Sequence, residues 1–295
     1  MVILVAGPST PSQELAASIA GTINARLVTA KTKIFPDGEH YVRITERLNN
    51  EKVYIVQSLS PPQNDSLIQA MLLADAALGA GASSVGLIAP YIAYSRQDKR
   101  FLEGEPISIR VVLKALRSAG YDELVTVEIH KPGSLEWFDG RTVNLSPYEY
   151  MAGKLDIKGD ILVLAPDRGA LHRAKKLAAA LGAEYDYLVK HRDRVTGDIV
   201  MEPKEIPAKG RIVILVDDII STGGTIAKAA KLLAAQGAEK VYALVAHALL
   251  VGNALEKLEN SGITRVYSAN TVIKKNSPIL EYIDIGPQIA RALSV

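Results

Sequence analysis

The stretch that most constrains the fold is segment 211–226, which reads RIVILVDDIISTGGTI. Its short apolar run, Ile212–Val216, is rich in β-branched residues, as is typical of a strand buried on both faces of a parallel sheet. Asp217 and Asp218 follow the run, and from residue 226 onward apolar side chains recur with helical spacing. The segment therefore predicts a strand, a loop and a helix, with two carboxylates at the strand's carboxyl end, where open α/β sheets bind ligands.

The loop between this strand and helix has the composition of a phosphate site. A helix N-terminus presents N–H groups and a partial positive charge to an anion. Two adjacent glycines let the backbone close around a phosphate, and three hydroxyl groups add hydrogen bonds. The candidate phosphate ligands are Ser221, Thr222, Gly223, Gly224 and Thr225. The loop is not a Walker motif, because no Gly-Lys-Ser/Thr follows. The alternative is a structural corner in which Asp and Thr residues cap the helix and form the turn.

Length and composition narrow the class of protein. A chain of 295 residues exceeds one typical core, which predicts two domains. Hydrophobic residues make up 48% and charged residues 22%, as in globular proteins, and cysteine is absent, which excludes disulfides and thiolate metal sites. A net charge of +2 without a basic cluster argues against a nucleic-acid partner. No apolar run reaches the roughly 20 residues that cross a bilayer, and the N-terminus reads as a first strand. We expect a cytoplasmic protein with no membrane or nucleic-acid partner.

Strand and helix signals alternate along the chain, and its two halves are alike. Residues 52–74, KVYIVQSLSPPQNDSLIQAMLLA, align without a gap on residues 211–233, RIVILVDDIISTGGTIAKAAKLL. The similarity predicts a duplicated α/β domain, with the general βαβ pattern as the alternative explanation. The first copy has Ser58-Leu59 and Asn64-Asp65 in place of the acid pair and the glycine pair. We therefore expect only the second copy to hold the sugar-phosphate site, and we predict domains at 1–147 and 148–295.

The central segment resembles the phosphoribosyl diphosphate (PRPP) loop of type I phosphoribosyltransferases and of ribose-phosphate pyrophosphokinases. Phosphoribosyltransferases usually have a single such domain, whereas this chain has two similar halves and four further motifs. These motifs are FPDGE at 35–39, RQDK at 96–99, the pair His130 and Asp167, and KHR at 190–192. Over essentially its full length the chain is similar to the ribose-phosphate pyrophosphokinase family. The resemblance implies an α/β fold of two tandem type I phosphoribosyltransferase-like domains, each a mainly parallel sheet flanked by helices.

The resemblance also implies residues for the nucleotide and the metal. The implied ATP-binding residues are Phe35, Asp37, Gly38, Glu39, Arg96 and Gln97. In the family the aromatic ring stacks on adenine, and His130 and Asp167 are metal ligands for Mg²⁺. By composition alone, segment 35–39 fits a tight turn as well as it fits a nucleotide site. For segment 96–99 the alternative to a binding role is a solvated loop. A single histidine after a strand is more often structural than a metal ligand.

For ribose 5-phosphate the resemblance implies that Asp217 and Asp218 contact the ribose hydroxyls and that the loop from Ser221 to Thr225 holds the 5-phosphate. Lys190 and Arg192 are the implied catalytic residues on a mobile loop, and Arg192 is also assigned to ribose 5-phosphate. The two cations lie two residues apart, so in an extended segment both point to one face. The alternative is a basic surface hairpin.

The implied reaction transfers the β,γ-diphosphoryl group of ATP to the C1 hydroxyl of ribose 5-phosphate, giving PRPP and AMP, with Mg²⁺ as cofactor. The family places ATP at a subunit interface, which implies a homo-oligomer, at least a dimer. A phosphoribosyltransferase that uses PRPP and a nucleobase and a non-catalytic regulatory homologue are the alternatives. Many bacterial members have Asp where Ser221 stands, a change that leaves phosphate binding possible. Segment 100–105 is less basic than its bacterial counterpart, which leaves oligomer size and control by ADP or phosphate open.

Overall fold

Two six-stranded sheets form the framework of the chain in a computed structural model. The structure describes residues 2–188, 190–192, 199–201 and 206–293, with the backbone alone for the two short segments. In both sheets the neighbouring strands run parallel. Parallel strands between layers of helices are buried on both faces, which is why the apolar runs of the sequence form them.

The first half of the chain contributes one sheet and one hairpin. The strands are β1 (Ile3–Ala6), β2 (Arg26–Thr29), β3 (Lys31–Ile34), β4 (His40–Arg43), β5 (Lys52–Val56), β6 (Ser84–Ala89), β7 (Tyr121–Val127) and β8 (Arg141–Leu145). The sheet has the order β2-β1-β5-β6-β7-β8, and β3 and β4 form an antiparallel hairpin.

The second half repeats this arrangement. Its strands are β9 (Ile161–Ala165), β10 (Glu184–Tyr187), β11 (Lys190–Arg192), β12 (Ile199–Met201), β13 (Ile212–Ile220), β14 (Lys240–Ala248), β15 (Arg265–Ala269) and β16 (Leu280–Ile283). The sheet has the order β10-β9-β13-β14-β15-β16, and β11 and β12 form an antiparallel hairpin. The two sheets therefore have the same strand order, as a duplication requires.

Helices connect most of the strands. The α-helices are α1 (Thr10–Ile23), α2 (Gln63–Gly79), α3 (Ser108–Ser118), α4 (Tyr148–Ala152), α5 (Leu171–Leu181), α6 (Gly224–Ala235), α7 (Ala254–Glu259) and α8 (Gly286–Leu293), with 3₁₀ turns at Pro132–Phe138 and Arg168–Ala170. Within the described residues no helix is long and apolar enough to cross a membrane.

Contacts divide the chain into two compact units, and each unit contains more than one segment of the chain, unlike the predicted division into 1–147 and 148–295. Unit 1 contains the residues up to Ser146, residues Thr271–Ile273 and the segment from Asp284 onward. Unit 2 contains Pro147–Asn270 and Lys274–Ile283. The last helix belongs to unit 1 because α8 packs against α1, and Gln288 Nε2 donates to the Ser146 carbonyl oxygen at 2.7 Å.

The structure extends the central strand beyond the apolar run that predicts it. The sequence predicts a strand that ends at Val216, whereas β13 continues to Ile220 and includes both aspartates. The extension arises because β14 runs alongside, pairing Ile219 with His247. The strands β3, β8 and β16 escape sequence prediction because each is a hairpin or edge strand with few buried side chains.

A buried carboxylate joins the strands at the amino end of the unit 1 sheet. Glu123 in β7 is almost fully buried, and its Oε2 accepts hydrogen bonds from Lys52 Nζ at 2.6 Å and from the Tyr54 hydroxyl at 2.9 Å. Arg141 Nε lies 3.5 Å from Oε1. Burial by itself raises the pKa of Glu123, but these hydrogen bonds and the charges of Lys52 and Arg141 bring the pKa below its ordinary value.

We expect Glu123→Gln to destabilise unit 1 by about 1–3 kcal/mol at pH 7, because it leaves buried donors poorly paired. A lowered pKa in the folded state stabilises the fold above the unfolded pKa of about 4.5, and the stabilisation is lost as pH falls through the folded value. The difference between wild type and variant should therefore shrink below pH 4. Urea unfolding at several pH values measures it, with Glu51→Gln, an exposed neighbour of Lys52, as the control. If the difference in the free energy of unfolding between wild type and variant did not change with pH, the lowered pKa of Glu123 would be contradicted.

Candidate functional site

The strand order of unit 2 places a crevice between β9 and β13. The chain leaves β9 toward β10 on one side and leaves β13 toward β14 on the other, so the connections diverge between these two neighbouring strands. In open α/β sheets ligands bind at such a switch point, outside the carboxyl ends of the strands. Asp167 follows β9 at this edge. Asp217 and Asp218 lie near the carboxyl end of β13.

A buried arginine lies beside the two aspartates. Arg173 projects from α5, which packs against β9 and β13, and only 4% of the residue is exposed. Its Nη1 lies 3.8 Å from Asp217 Oδ1 and its Nη2 lies 3.3 Å from Asp218 Oδ2. The side chain of Asp217 keeps 20% of its surface exposed and that of Asp218 only 5%. Asp217 is therefore the member of the pair that reaches solvent at the crevice.

The Asp217 carboxyl group holds a proton more strongly than that of an isolated aspartate. Burial, the negative charge of Asp218 and a side-chain hydrogen bond with Asp218 raise the pKa of Asp217 well above its ordinary value. Arg173 and the Asp218 N–H, which donates to Asp217 Oδ1 at 2.9 Å, act in the opposite direction without cancelling the rise. One guanidinium thus offsets only part of the cost of burying two neighbouring acids.

The backbone of β13 is also held by a side-chain hydrogen bond from α4. Tyr148 in α4 is fully buried, and its hydroxyl donates a hydrogen bond of 3.1 Å to the Asp217 carbonyl oxygen. Helices α4 and α5 contact each other, so Tyr148 and Arg173 reach the same strand end from neighbouring elements. The acid pair is therefore held at both its main chain and its side chains.

The predicted phosphate loop leads from β13 into the N-terminus of α6. Gly223 is the residue before the helix and has φ +72°, in the left-handed region that glycine occupies without strain. A Cβ at this position would lie 3.0 Å from the Ala254 carbonyl oxygen, whereas one at Gly224 would meet no atom within 4 Å. The N–H groups of the first helical turn have no partners within the helix and point out of its N-terminus.

The chain after β14 supports the phosphate loop. The Leu250 N–H donates to the Ile220 carbonyl oxygen at 3.1 Å and the Val251 N–H donates to that of Ser221 at 3.0 Å. Thr222 is exposed, and Ser221 and Thr225 are half-buried. The loop is thus a fixed backbone cradle with three hydroxyl side chains, next to the acid pair.

The two predicted metal ligands lie in different units and are described separately. Asp167 in unit 2 caps the 3₁₀ turn that follows it, because its Oδ1 accepts from the N–H groups of Gly169 and Ala170 at 2.9 and 3.2 Å. His130 in unit 1 is half-buried and follows the end of β7 by three residues. The described side chains include no cluster of three or more His, Asp or Glu that could hold a metal ion by itself.

The FPDGE segment forms the turn of the β3–β4 hairpin. The Phe35 N–H donates to the Glu39 carbonyl oxygen at 2.8 Å, Gly38 has φ +94°, and Asp37 Oδ1 accepts from the Glu39 N–H at 3.2 Å. The Phe35 ring is 37% exposed, and it packs edge-on against Tyr41 with 6.1 Å between ring centroids. The hairpin therefore presents an aromatic ring at its tip, while Asp37 also stabilises the turn.

Arg96 and Gln97 lie in the loop between β6 and α3. Arg96 is exposed, whereas Gln97 Nε2 donates to Glu105 Oε2 at 3.3 Å. The same Glu105 oxygen accepts from the N–H groups of Phe101 and Leu102 at 2.7 and 3.0 Å, and these bonds lower the pKa of Glu105. Segment 97–105 is thus ordered around one carboxylate. The side chains of Lys190 and Arg192, in the hairpin strand β11, lie outside the described part of the chain.

The corresponding edge of unit 1 is filled by the protein itself. Ser58 occupies the aligned position of Asp217, and its hydroxyl donates to the Thr271 carbonyl oxygen at 2.6 Å. The buried Gln57 side chain fills the space beside Gly7, where a Cβ would lie 1.7 Å from Gln57 Oε1. Asn64, aligned with Gly223, accepts a hydrogen bond from the Tyr94 hydroxyl. At the positions aligned with the acid pair and the glycine pair, unit 1 thus has neutral side chains that contact other parts of the same unit.

Arg173 and Tyr148 are site residues that the motifs of the sequence do not include. Arg173 shares the buried face of α5 with Ala174, Leu177 and Ala178. A charged residue on an apolar helical stripe is rarely buried without a partner, and this pattern is a signal in the sequence for Arg173. Tyr148 has no comparable signal, because a tyrosine is common both in cores and on surfaces.

Comparisons with known proteins agree with this geometry. Residues 2–120 match the sequence profile of the N-terminal domain of ribose phosphate pyrophosphokinase, and residues 150–279 match that of the phosphoribosyl transferase domain. The chain is 42% identical over 287 residues to the ribose-phosphate pyrophosphokinase of Aeropyrum pernix, covering 96% of this chain and 93% of the relative. It is 41% identical to that of Saccharolobus solfataricus, covering 99% and 100%.

The chain belongs to the ribose-phosphate pyrophosphokinase family. A solved structure supports the same conclusion for the fold. The phosphoribosylpyrophosphate synthetase of Mycobacterium smegmatis superposes with a TM-score of 0.89 at 30% identity, covering 99% of this chain and 97% of that one. The predictions of family, fold class and type of reaction are confirmed.

For this pyrophosphokinase family member, the structure predicts that Gly223→Ala is far more harmful than Gly224→Ala. A non-glycine residue in the left-handed region costs about 1–2 kcal/mol, and here the added Cβ also presses on the Ala254 carbonyl oxygen. Gly224→Ala meets neither obstacle and should change the free energy of unfolding by less than about 0.5 kcal/mol. Urea unfolding of both variants measures the difference, and equal losses of stability would contradict the loop geometry.

Proposed function

We propose that unit 2 binds ribose 5-phosphate near the carboxyl end of β13, that residues of unit 1 bind ATP, and that the protein transfers the β,γ-diphosphoryl group of ATP to the C1 hydroxyl. The observation that carries the proposal is the juxtaposition, in one unit, of a buried acid pair and a glycine-rich helix N-terminus at the switch point of a parallel sheet. Membership in the pyrophosphokinase family supplies the reaction.

The proposed roles at the sugar follow from charge and position. Ser221, Thr222, Gly223, Gly224 and Thr225 hold the 5-phosphate through N–H groups and hydroxyls, since a helix N-terminus favours an anion. Asp217 and Asp218 form hydrogen bonds with the ribose hydroxyls, which can donate to a carboxylate and accept from a protonated carboxyl group. Where the acid is ionised the bond is charge-assisted and roughly twice as strong as a neutral one, which gives the acid pair a large share of the binding of the sugar.

The proposed roles at the nucleotide rest on the hairpin tip and on the following loop. Phe35 stacks on adenine, and Asp37, Gly38 and Glu39 contact the nucleoside, while Arg96 and Gln97 contact phosphate or ribose oxygens. The partial exposure of the Phe35 ring supports stacking, since a fully packed ring has no free face. The C1 oxygen attacks the β-phosphorus in line, and AMP leaves. Lys190 and Arg192 stabilise the charge on the transferring diphosphoryl group, a step in which positioning and charge neutralisation dominate.

We further propose that His130 of unit 1 and Asp167 of unit 2 each serve as a ligand of Mg²⁺ in the working enzyme. The carboxylate of Asp167 at the ligand edge of the unit 2 sheet suits this role, because Mg²⁺ prefers oxygen and is usually bound by one or two carboxylates plus substrate phosphates. When bound, the ion would neutralise phosphate charge. In keeping with the family, we expect a homo-oligomer in the cytoplasm, at least a dimer.

Incubating the protein with ATP, Mg²⁺ and ribose 5-phosphate tests the function directly. The proposal predicts formation of AMP and PRPP in equal amounts, dependent on both substrates. A phosphoribosyltransferase would instead convert adenine and PRPP to AMP and diphosphate without ATP. No turnover in either assay would indicate a regulatory homologue.

We expect Phe35→Ala to raise the KM for ATP about tenfold or more, because stacking of a base on an aromatic ring contributes roughly 1–3 kcal/mol. The KM for ribose 5-phosphate should stay within about twofold, since its proposed ligands lie in unit 2. Ile34→Ala is the matched control, because Ile34 precedes Phe35 in the hairpin and is 63% exposed. Equal effects of the two substitutions on the KM for ATP would place the adenine elsewhere.

A further inference from the structure

The buried arginine of α5 has no function in the proposal above, and its position at the acid pair suggests one. Arg173 is a long, charged side chain with 4% exposure, so its cation is removed from solvent. Burying a guanidinium costs several kcal/mol unless acids accompany it, and burying two adjacent carboxylates is equally unfavourable without a cation. The three groups therefore depend on one another.

The geometry points to Arg173 as a positioning residue for ribose 5-phosphate: we propose that its two terminal nitrogens, one on each acid, set the orientation in which Asp217 and Asp218 meet the ribose hydroxyls. In a regular strand consecutive side chains point to opposite faces, but Asp217 and Asp218 share a side-chain hydrogen bond, and both lie near the Arg173 guanidinium. A planar guanidinium with two terminal nitrogens can reach both, as the distances of 3.8 and 3.3 Å show. Arg173 acts through the acids and does not itself contact the sugar in this proposal.

The helix that carries Arg173 is itself held in place at the crevice. The α5 helix that carries Arg173 packs on both strands that border the crevice, and the Tyr148 hydroxyl fixes the main chain of Asp217 from α4. A guanidinium on such a support fixes the two acids before the substrate arrives. Binding groups fixed in advance lower the entropy that the substrate must overcome. The inference rests on the proposed assignment of the acid pair to ribose.

Two substitutions of Arg173 separate positioning from stability. Lysine keeps a single cation but has one nitrogen in place of two, so it can pair with only one acid at a time. We expect Arg173→Lys to raise the KM for ribose 5-phosphate about tenfold and Arg173→Gln to raise it further, with the KM for ATP within about twofold in both. Lys176→Gln, an exposed change one turn further along α5, should leave both KM values unchanged. An equal rise in both KM values would show that Arg173 only supports the fold.

A mutant cycle provides the second test, with Arg173→Lys in place of Arg173→Gln where the latter folds poorly. If Arg173 acts through the two acids, then adding Arg173→Gln to the combined Asp217→Asn and Asp218→Asn variant should change the KM for ribose 5-phosphate by less than about twofold. If the effects of the substitutions on this KM multiply, the inference is overturned, because Arg173 would then act on the sugar independently of the acids. If Asp218→Asn alone leaves this KM unchanged, the proposed ribose site itself is wrong. If Asp218→Asn raises it and Arg173→Gln does not, only the role of Arg173 is refuted.

Discussion

The burial of two adjacent carboxylates beside one guanidinium is the interaction on which the rest of the site depends. An unpaired ionised carboxylate inside a protein is unfavourable by several kcal/mol, so β13 can carry two adjacent buried acids only because α5 supplies Arg173 beside them. The pairing is incomplete, and the pKa of Asp217 stays raised. The Asp217 side chain is 20% exposed, so it is the member of the pair that the hydroxyl groups of a sugar can reach.

The two halves of the chain show how one fold diverged into two kinds of surface. At the amino ends of the sheets both halves carry an ion pair at the start of the central strand, with different partners: Lys52 pairs with Glu123 in β7, and the aligned Arg211 pairs with Asp160 and with Glu184 in β10. At the carboxyl ends they differ, because charged groups and glycines line the crevice of unit 2 whereas hydrogen-bonded neutral side chains close that of unit 1. The two halves therefore differ most at the edge where parallel sheets bind ligands.

Much of this organisation is predictable from the sequence, and the physical reasons are specific. Apolar runs such as Ile212–Val216 predict buried parallel strands, and the glycine pair at 223–224 predicts a close backbone approach, which the positive φ of Gly223 reflects. Edge strands such as β16 are not predictable in this way, because they bury few side chains. The partnership of Arg173 with the acids is also hidden, since 44 residues separate Arg173 from Asp217 and only packing of α5 on β13 joins them.

The central claim, that the acid pair recognises the sugar and not the nucleotide, is tested most directly by Asp217→Asn combined with Asp218→Asn. Both substitutions keep shape and remove charge, and hydrogen bonds to charged groups contribute about 1.5–3 kcal/mol each. The account predicts a KM for ribose 5-phosphate raised at least about tenfold, with the dissociation constant of ATP, measured by direct titration, within about twofold. An equal loss of affinity for both ligands would contradict it, because the acids would then belong to a shared site or to the fold alone.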